Sequence, residues 1–191
     1  MTPSYAAVAA LAAIGFYAAT VPVPAQSQIK NENLLVTVPN GFKVGYRVKK
    51  DKIAMTEMIP SSETLQNWTE MLTVHIFFGQ RTLTPAAFRA NVETRWKQAC
   101  PGGGAQTLSA APANGYPALM WQLTCVRNPA TGKPENTWFK AIAGGDSFYV
   151  VQKAYRSEPT PAQTQDVLTL IGRVSVCDTR RADRACPAGM R

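Results

Sequence analysis

The stretch from Thr69 to Phe78 constrains the fold most, because it alternates like a strand and yet is apolar on both sides. Leu72, Val74, Ile76 and Phe78 fall on one face, and Met71, Thr73, His75 and Phe77 on the other. A strand with two apolar faces belongs inside a sheet that is covered on both sides, which calls for helices packed on the sheet. The following segment supplies one. Thr84 can cap it, Pro85 suits the first helical position, Phe88, Val92 and Trp96 recur at four-residue spacing, and Cys100-Pro101-Gly102-Gly103 ends it. A second helix is expected after Thr160 and Pro161, with Val167, Leu168, Ile171 and Val174 as its buried stripe.

The other segments read as strands. Leu34 to Val38 is expected to be the first, followed by a tight turn at Pro39-Asn40-Gly41. In Phe42 to Lys49 the alternation predicts Phe42, Val44, Tyr46 and Val48 on a buried face and Lys43, Gly45, Arg47 and Lys49 on a solvent face. Lys50-Asp51 turns the chain into Ile53 to Ile59, and Pro60 to Glu63 opens a connection read as a helical turn through Trp68. Gln106 to Ala110, Ala118 to Arg127, Thr137 to Ala143 and Ser147 to Arg156 complete the set, with a hairpin at Gly144-Gly145-Asp146. The fold class is therefore α+β, an antiparallel sheet of about six or seven strands packed with two main helices.

This order, from Leu34 to Val176, and the strand-Pro-x-Gly-Phe opening at Val38-Pro39-Asn40-Gly41-Phe42 resemble the layered sandwich shared by the photosystem accessory protein PsbP and the nuclear transport factor Mog1. The run Glu57-Met58-Ile59-Pro60 through Glu63, with Asn67-Trp68-Thr69 and Met71-Leu72-Thr73, is similar to a family of exported proteins of Gram-negative bacteria that carries no assigned chemistry. The resemblance implies an accessory or binding module more than an enzyme, and a shared fold does not by itself settle function.

Met1 to Ala25 contains no charged side chain. Its apolar run from Tyr5 to Val21 ends in Val23-Pro24-Ala25, with small residues where a signal peptidase reads them, so residues 1–25 are expected to be a secretory signal. Residues 26–176 then form one domain, residues 177–191 a basic tail, and the protein is expected to be periplasmic or secreted. The apolar run is also close to the roughly 17 to 25 residues that span a bilayer. An uncleaved inner-membrane anchor facing the periplasm is thus the alternative, and it would be the chain's one membrane contact.

Cys100, Cys125, Cys177 and Cys186 make an even count in a chain read as exported, which argues for two disulfides. Of the three pairings that four cysteines allow, Cys100 with Cys125 and Cys177 with Cys186 is favoured. The first ties a helix end to a strand and the second closes a short polar loop, and each stabilises by roughly 3 kcal/mol through loop-closure entropy. A zinc site is disfavoured, since there is no C-x-x-C pair and one histidine.

A formal charge of +8 favours anionic partners such as lipid head groups, polyanionic polysaccharide or acidic protein surfaces. Nucleic acid fits the charge but not the compartment. Two basic groups stand out as candidate binding surfaces: Lys43, Arg47 and Lys49 with Lys50 and Lys52, and Arg180, Arg181 and Arg184 near the carboxyl end. Lysines on an exposed strand equally serve to oppose edge-to-edge aggregation, and a basic tail can simply be solvated.

Catalytic patterns are sparse, and neither a catalytic residue, a metal nor a cofactor is assigned. Any Ser-His-Asp or Cys-His arrangement must use His75, which sits mid-strand, and neither G-x-S-x-G nor H-E-x-x-H occurs. Glu57, Glu63 and Glu70 lie close enough in sequence for a carboxylate pair, but nothing fixes their spacing, and Glu63 also suits a helix first turn. Gly102-Gly103-Gly104 lacks the Lys-Ser/Thr of a phosphate loop. Trp68, Trp121 and Trp138 either line a pocket or pack the core. A membrane-anchored accessory subunit and a hydrolase using Glu57 or His75 are the competing readings.

Overall fold

The computed structural model describes residues 30–188, so the expected signal at residues 1–25 lies outside the described residues. The elements run β1 (Glu32–Leu35), β2 (Phe42–Lys50), β3 (Ile53–Pro60), β4 (Glu70–Phe78), α1 (Pro85–Ala99), β5 (Gly104–Ser109), β6 (Ala118–Cys125), β7 (Glu135–Ala143), β8 (Ser147–Tyr155), α2 (Pro161–Arg173) and β9 (Ser175–Asp178), with a 3-10 turn at Ala182–Arg184. A 7-stranded antiparallel sheet has the order β2-β3-β4-β8-β7-β6-β5, and a 2-stranded sheet pairs β1 with β9. The protein is an α+β sandwich.

The two helices lie on opposite faces. Both start as their sequences predict, Thr84 and Thr160 accepting from the backbone N–H of Ala87 and Gln163 and a proline opening the first turn. α1 packs on β6 and β7, where Phe88, Val92 and Trp96 meet Trp121, Phe139 and Phe148. α2 packs on β7 and β8, sinking Val167 and Ile171 into a cluster with Leu72, Trp138 and Tyr149. Burial of a side chain such as Ile171 stabilises by about 1.5–3 kcal/mol. Cys100 at the end of α1 bonds Cys125 of β6, and Cys177 of β9 bonds Cys186, the pairing favoured by the spacing.

Several local expectations are corrected. No helix forms between β3 and β4; the Glu63 carboxylate instead accepts from the Thr69 N–H at 2.8 Å and from its hydroxyl, folding the loop so that Leu65 and Trp68 cover Ile59 and Met71. The first strand is Glu32–Leu35, not Leu34 to Val38, and it stays out of the large sheet because β9 takes it, Glu32 opposite Asp178 and Leu35 opposite Ser175. Cys177, placed by sequence at the head of a tail, is a buried residue of that second sheet.

β2 departs most from its pattern. Its register with β3 slips between Val44 and Tyr46, where Gly45 forms a bulge. Val44 stands opposite Met58 but Tyr46 opposite Glu57, so the extra residue exchanges the faces. Phe42, Val44, Arg47 and Lys49 therefore share the α2 side, while Lys43, Tyr46, Val48 and Lys50 share the α1 side. A Cβ at Gly45 would lie 3.0 Å from Leu65 Cδ2 and 3.2 Å from Ile59 Cδ1, so the bulge is pressed against the core.

The Glu32 carboxylate of β1 helps fasten the small sheet to the large one. Glu32 accepts from the N–H groups of Gly145, Asp146 at 3.0 Å and Ser147 at 3.1 Å, and from the Tyr149 hydroxyl at 2.9 Å. Gly144 is required beside it, since a Cβ there would lie 2.8 Å from the Glu32 carboxyl carbon. Glu32→Ala leaves those donors without their acceptor and is expected to lower unfolding free energy by about 2 to 4 kcal/mol, against about 1 kcal/mol for Tyr149→Phe, as measured by urea denaturation. Equal stability of Glu32→Ala and the parent would mean the fastening contributes nothing.

Candidate functional site

β2 is an edge strand, and among the described residues nothing pairs with its outer side. Its apolar side chains are unusually open: Val44 is 48% and Tyr46 43% exposed, and Ile53, just past the Asp51-Lys52 turn, is exposed as well. Arg47, Lys49 and Lys50 project from the same strand, with Lys52 in the turn. Lys43 donates to the Ser61 carbonyl at 2.8 Å and Lys49 lies 5.1 Å from the Phe78 ring centroid. Among the described residues none of Lys43, Arg47, Lys49, Lys50 and Lys52 forms an ion pair. The sequence expectation of one basic face is corrected by the bulge, because the cations fringe the edge on both sides of the sheet.

The second basic group is built differently. Arg180 grips the buried Asp178 through Nε at 2.9 Å and a second nitrogen at 2.7 Å, and reaches Asp146 at 2.6 Å. That guanidinium holds the Asp178 carboxyl below the usual carboxylate range. Arg181 pairs with Asp183 at 2.8 Å. The Arg184 guanidinium lies 4.0 Å over the ring of Tyr116 and 3.7 Å from Asp183. These arginines join β9, the β7–β8 turn and the 3-10 turn, and their charge is answered within the fold.

The titratable residues separate onto opposite faces. Glu57 stands opposite Thr73 and His75 opposite Met55, all on the α1 side, whereas Glu70 stands opposite Tyr155 on the α2 side. Glu57 and Glu70 therefore form no carboxylate pair. Burial pushes the Glu57 carboxyl up and the His75 imidazole down. His75 Nδ1 and the Thr73 hydroxyl are buried without a hydrogen-bond partner, and Thr73 is only 1% exposed, so the one hydroxyl between acid and base is closed to a substrate. Trp121 and Trp138 are core residues, and Trp68 is buried beneath the Arg156 guanidinium at 3.8 Å.

One site was missed by sequence reasoning. Lys153, 2% exposed, ion-pairs with Glu70 and lies 4.3 Å from the Phe42 ring centroid and 5.0 Å from that of Tyr155. It lines a cleft of about 330 Å³ between β2, β8 and α2, with Asp166 and Leu170 on the helix side. Burial lowers the Lys153 pKa, opposed by Glu70. The cleft's carboxylates outnumber its ammonium, so it is no anion site. A lysine inside the apolar run Ser147 to Arg156 was the available signal.

No protein-family model matches the sequence, and no curated protein matches it. Among solved structures the chain is similar to LpqN, described as involved in cell envelope biogenesis of Mycobacterium tuberculosis, with 12% identity, a TM-score of 0.42, and coverage of 78% of this chain and 86% of that one.

His75 gives a pH test. Its folded-state pKa is lowered from the ordinary 6.5 by burial, so as pH falls below about 6.5 the unfolded chain takes up the proton first and stability drops. Glu57, raised by burial, works in the opposite sense at lower pH. In the difference between the parent and His75→Phe that contribution cancels, and the parent's excess loss of stability between about pH 7 and 5 is expected to vanish in the variant. Identical pH profiles would refute a buried neutral imidazole.

Proposed function

We propose that this protein is an exported, non-catalytic binding or accessory protein of the bacterial cell envelope that engages an anionic partner along strand β2. The observation that carries the reading is the contrast between its basic groups. Arg180 pairs with Asp178 and Asp146, and Arg181 and Arg184 share Asp183, whereas among the described residues the cations of β2 and its turn form no ion pair and stand beside exposed Val44 and Tyr46. Unanswered like charges on one edge repel one another and are relieved when an anion approaches. The disulfides support an oxidising compartment, in keeping with the signal expected at residues 1–25. Among the described residues no helix is long and apolar enough to cross a membrane.

A hydrolase using Glu57 or His75 remains the second reading, favoured by their common face and opposed by the closure of Thr73.

The test uses immobilised heparin as a polyanion probe. Lys43→Glu with Arg47→Glu is expected to elute at clearly lower salt than the parent, because screened charge contacts weaken with ionic strength. Arg127→Glu with Lys133→Glu makes the same change of net charge on an exposed loop and is expected to shift elution far less. Equal shifts in the two variants would reduce the effect to net charge and overturn the assignment to β2.

A further inference from the structure

The edge of β2 carries more information than its charge, and the register shows how it is arranged. Beyond the Gly45 bulge, Tyr46 to Lys50 pairs regularly with Glu57 to Ile53. Within it Arg47 and Lys49 point to the α2 side, and Tyr46, Val48 and Lys50 to the α1 side. Any strand laid along the outer side would set its own residues opposite these in the same alternation. The other edge of the sheet, β5, offers nothing comparable: it is short, carries no cation, has only small and polar residues besides Leu108, and its register is broken between Thr107 and Ser109.

We infer that β2 accepts an extended segment of a protein partner by strand addition, and that this segment alternates apolar and acidic residues. Apolar side chains would face Tyr46 and Val48, and carboxylates would face Arg47 and Lys49 on the other side of the sheet. Main-chain hydrogen bonds to an edge supply affinity in this mode, and alternate side chains supply specificity. A second copy of the chain is disfavoured as occupant, because two antiparallel β2 strands paired about Val48 would set Arg47 of each opposite Lys49 of the other. The inference rests on the anionic-partner reading and names the partner's chemistry.

A short synthetic peptide alternating valine and glutamate, labelled for fluorescence anisotropy, is the probe, titrated against the disulfide-bonded full chain. The alternating peptide is expected to bind, and Arg47→Glu with Lys49→Glu to weaken it by about tenfold or more while far-ultraviolet circular dichroism and melting temperature stay those of the parent. Methylating the peptide nitrogens that face β2 is expected to abolish binding, and methylating the alternate set to spare it. A peptide of the same composition with its valines and glutamates in blocks, binding as tightly as the alternating one, would overturn strand addition and leave the anionic reading standing. Failure of either peptide and of heparin to bind would overturn both. A dimer in analytical ultracentrifugation that Tyr46→Lys dissociates would put a second copy at the edge and overturn the peptide partner.

Discussion

Coverage of the sheet is the constraint on which the rest of the structure depends. Seven strands about 4.8 Å apart make a sheet roughly 30 Å wide with two apolar faces, and a helix about 10 Å across covers roughly two strands. The described chain provides one long helix for each face, of 15 and 13 residues. α1 takes β6 and β7, α2 takes β7 and β8, and the β2–β4 half must be covered by other means. On the α2 side Leu34 and Val36 pack in the cluster that includes Val74 and Ile76. On the α1 side Leu65 and Trp68 of the β3–β4 loop close over Ile59 and Met71. Cover runs out at β2, which is why Val44 and Tyr46 stand open to solvent.

Because β1 and the loop are not helices with self-satisfied backbones, polar side chains hold them in place. Glu32 satisfies the N–H groups of the β7–β8 turn, Asn114 donates to the Val176 carbonyl at 2.9 Å, and Glu63 ties its loop to Thr69. The helix side uses the same device, since the buried Lys140 donates to the Gly172 carbonyl at 2.7 Å near the end of α2, where a cation is favoured. The buried charged residues, Lys140, Lys153 and Asp178, are thus paired or hydrogen-bonded, as burial demands. Lys153 with Glu70 and Asp178 with Arg180 follow the rule.

The uneven fate of the cations follows from that arrangement. Near the carboxyl end the chain passes carboxylates on β9 and on the β7–β8 turn, and the arginines there become part of the fastening. At β2, among the described residues, no layer lies beyond the strand to provide carboxylates, and the lysines and Arg47 are left without an ion pair. Such an edge resists pairing with its own kind and remains open to an acidic one.

By itself the sequence determined the element types and most of their limits. Two-sided apolar alternation placed Thr69 to Phe78 inside a sheet, Thr-Pro starts marked both helices, and cysteine spacing pointed to the pairing that forms. These are local signals, fixed by backbone dihedrals and side-chain period. Only the tertiary structure decided that β1 leaves the main sheet for β9, that Gly45 bulges and sends Lys43 and Arg47 to opposite faces, and that Arg180 reaches Asp146 while Lys50 has no ion pair among the described residues. A bulge arises where a strand must bend around its neighbours, and the contact of Arg180 with Asp146 joins residues 34 apart in the chain. Neither leaves a periodic trace in the sequence, so the basic edge of β2 became legible only once the strands had found their partners.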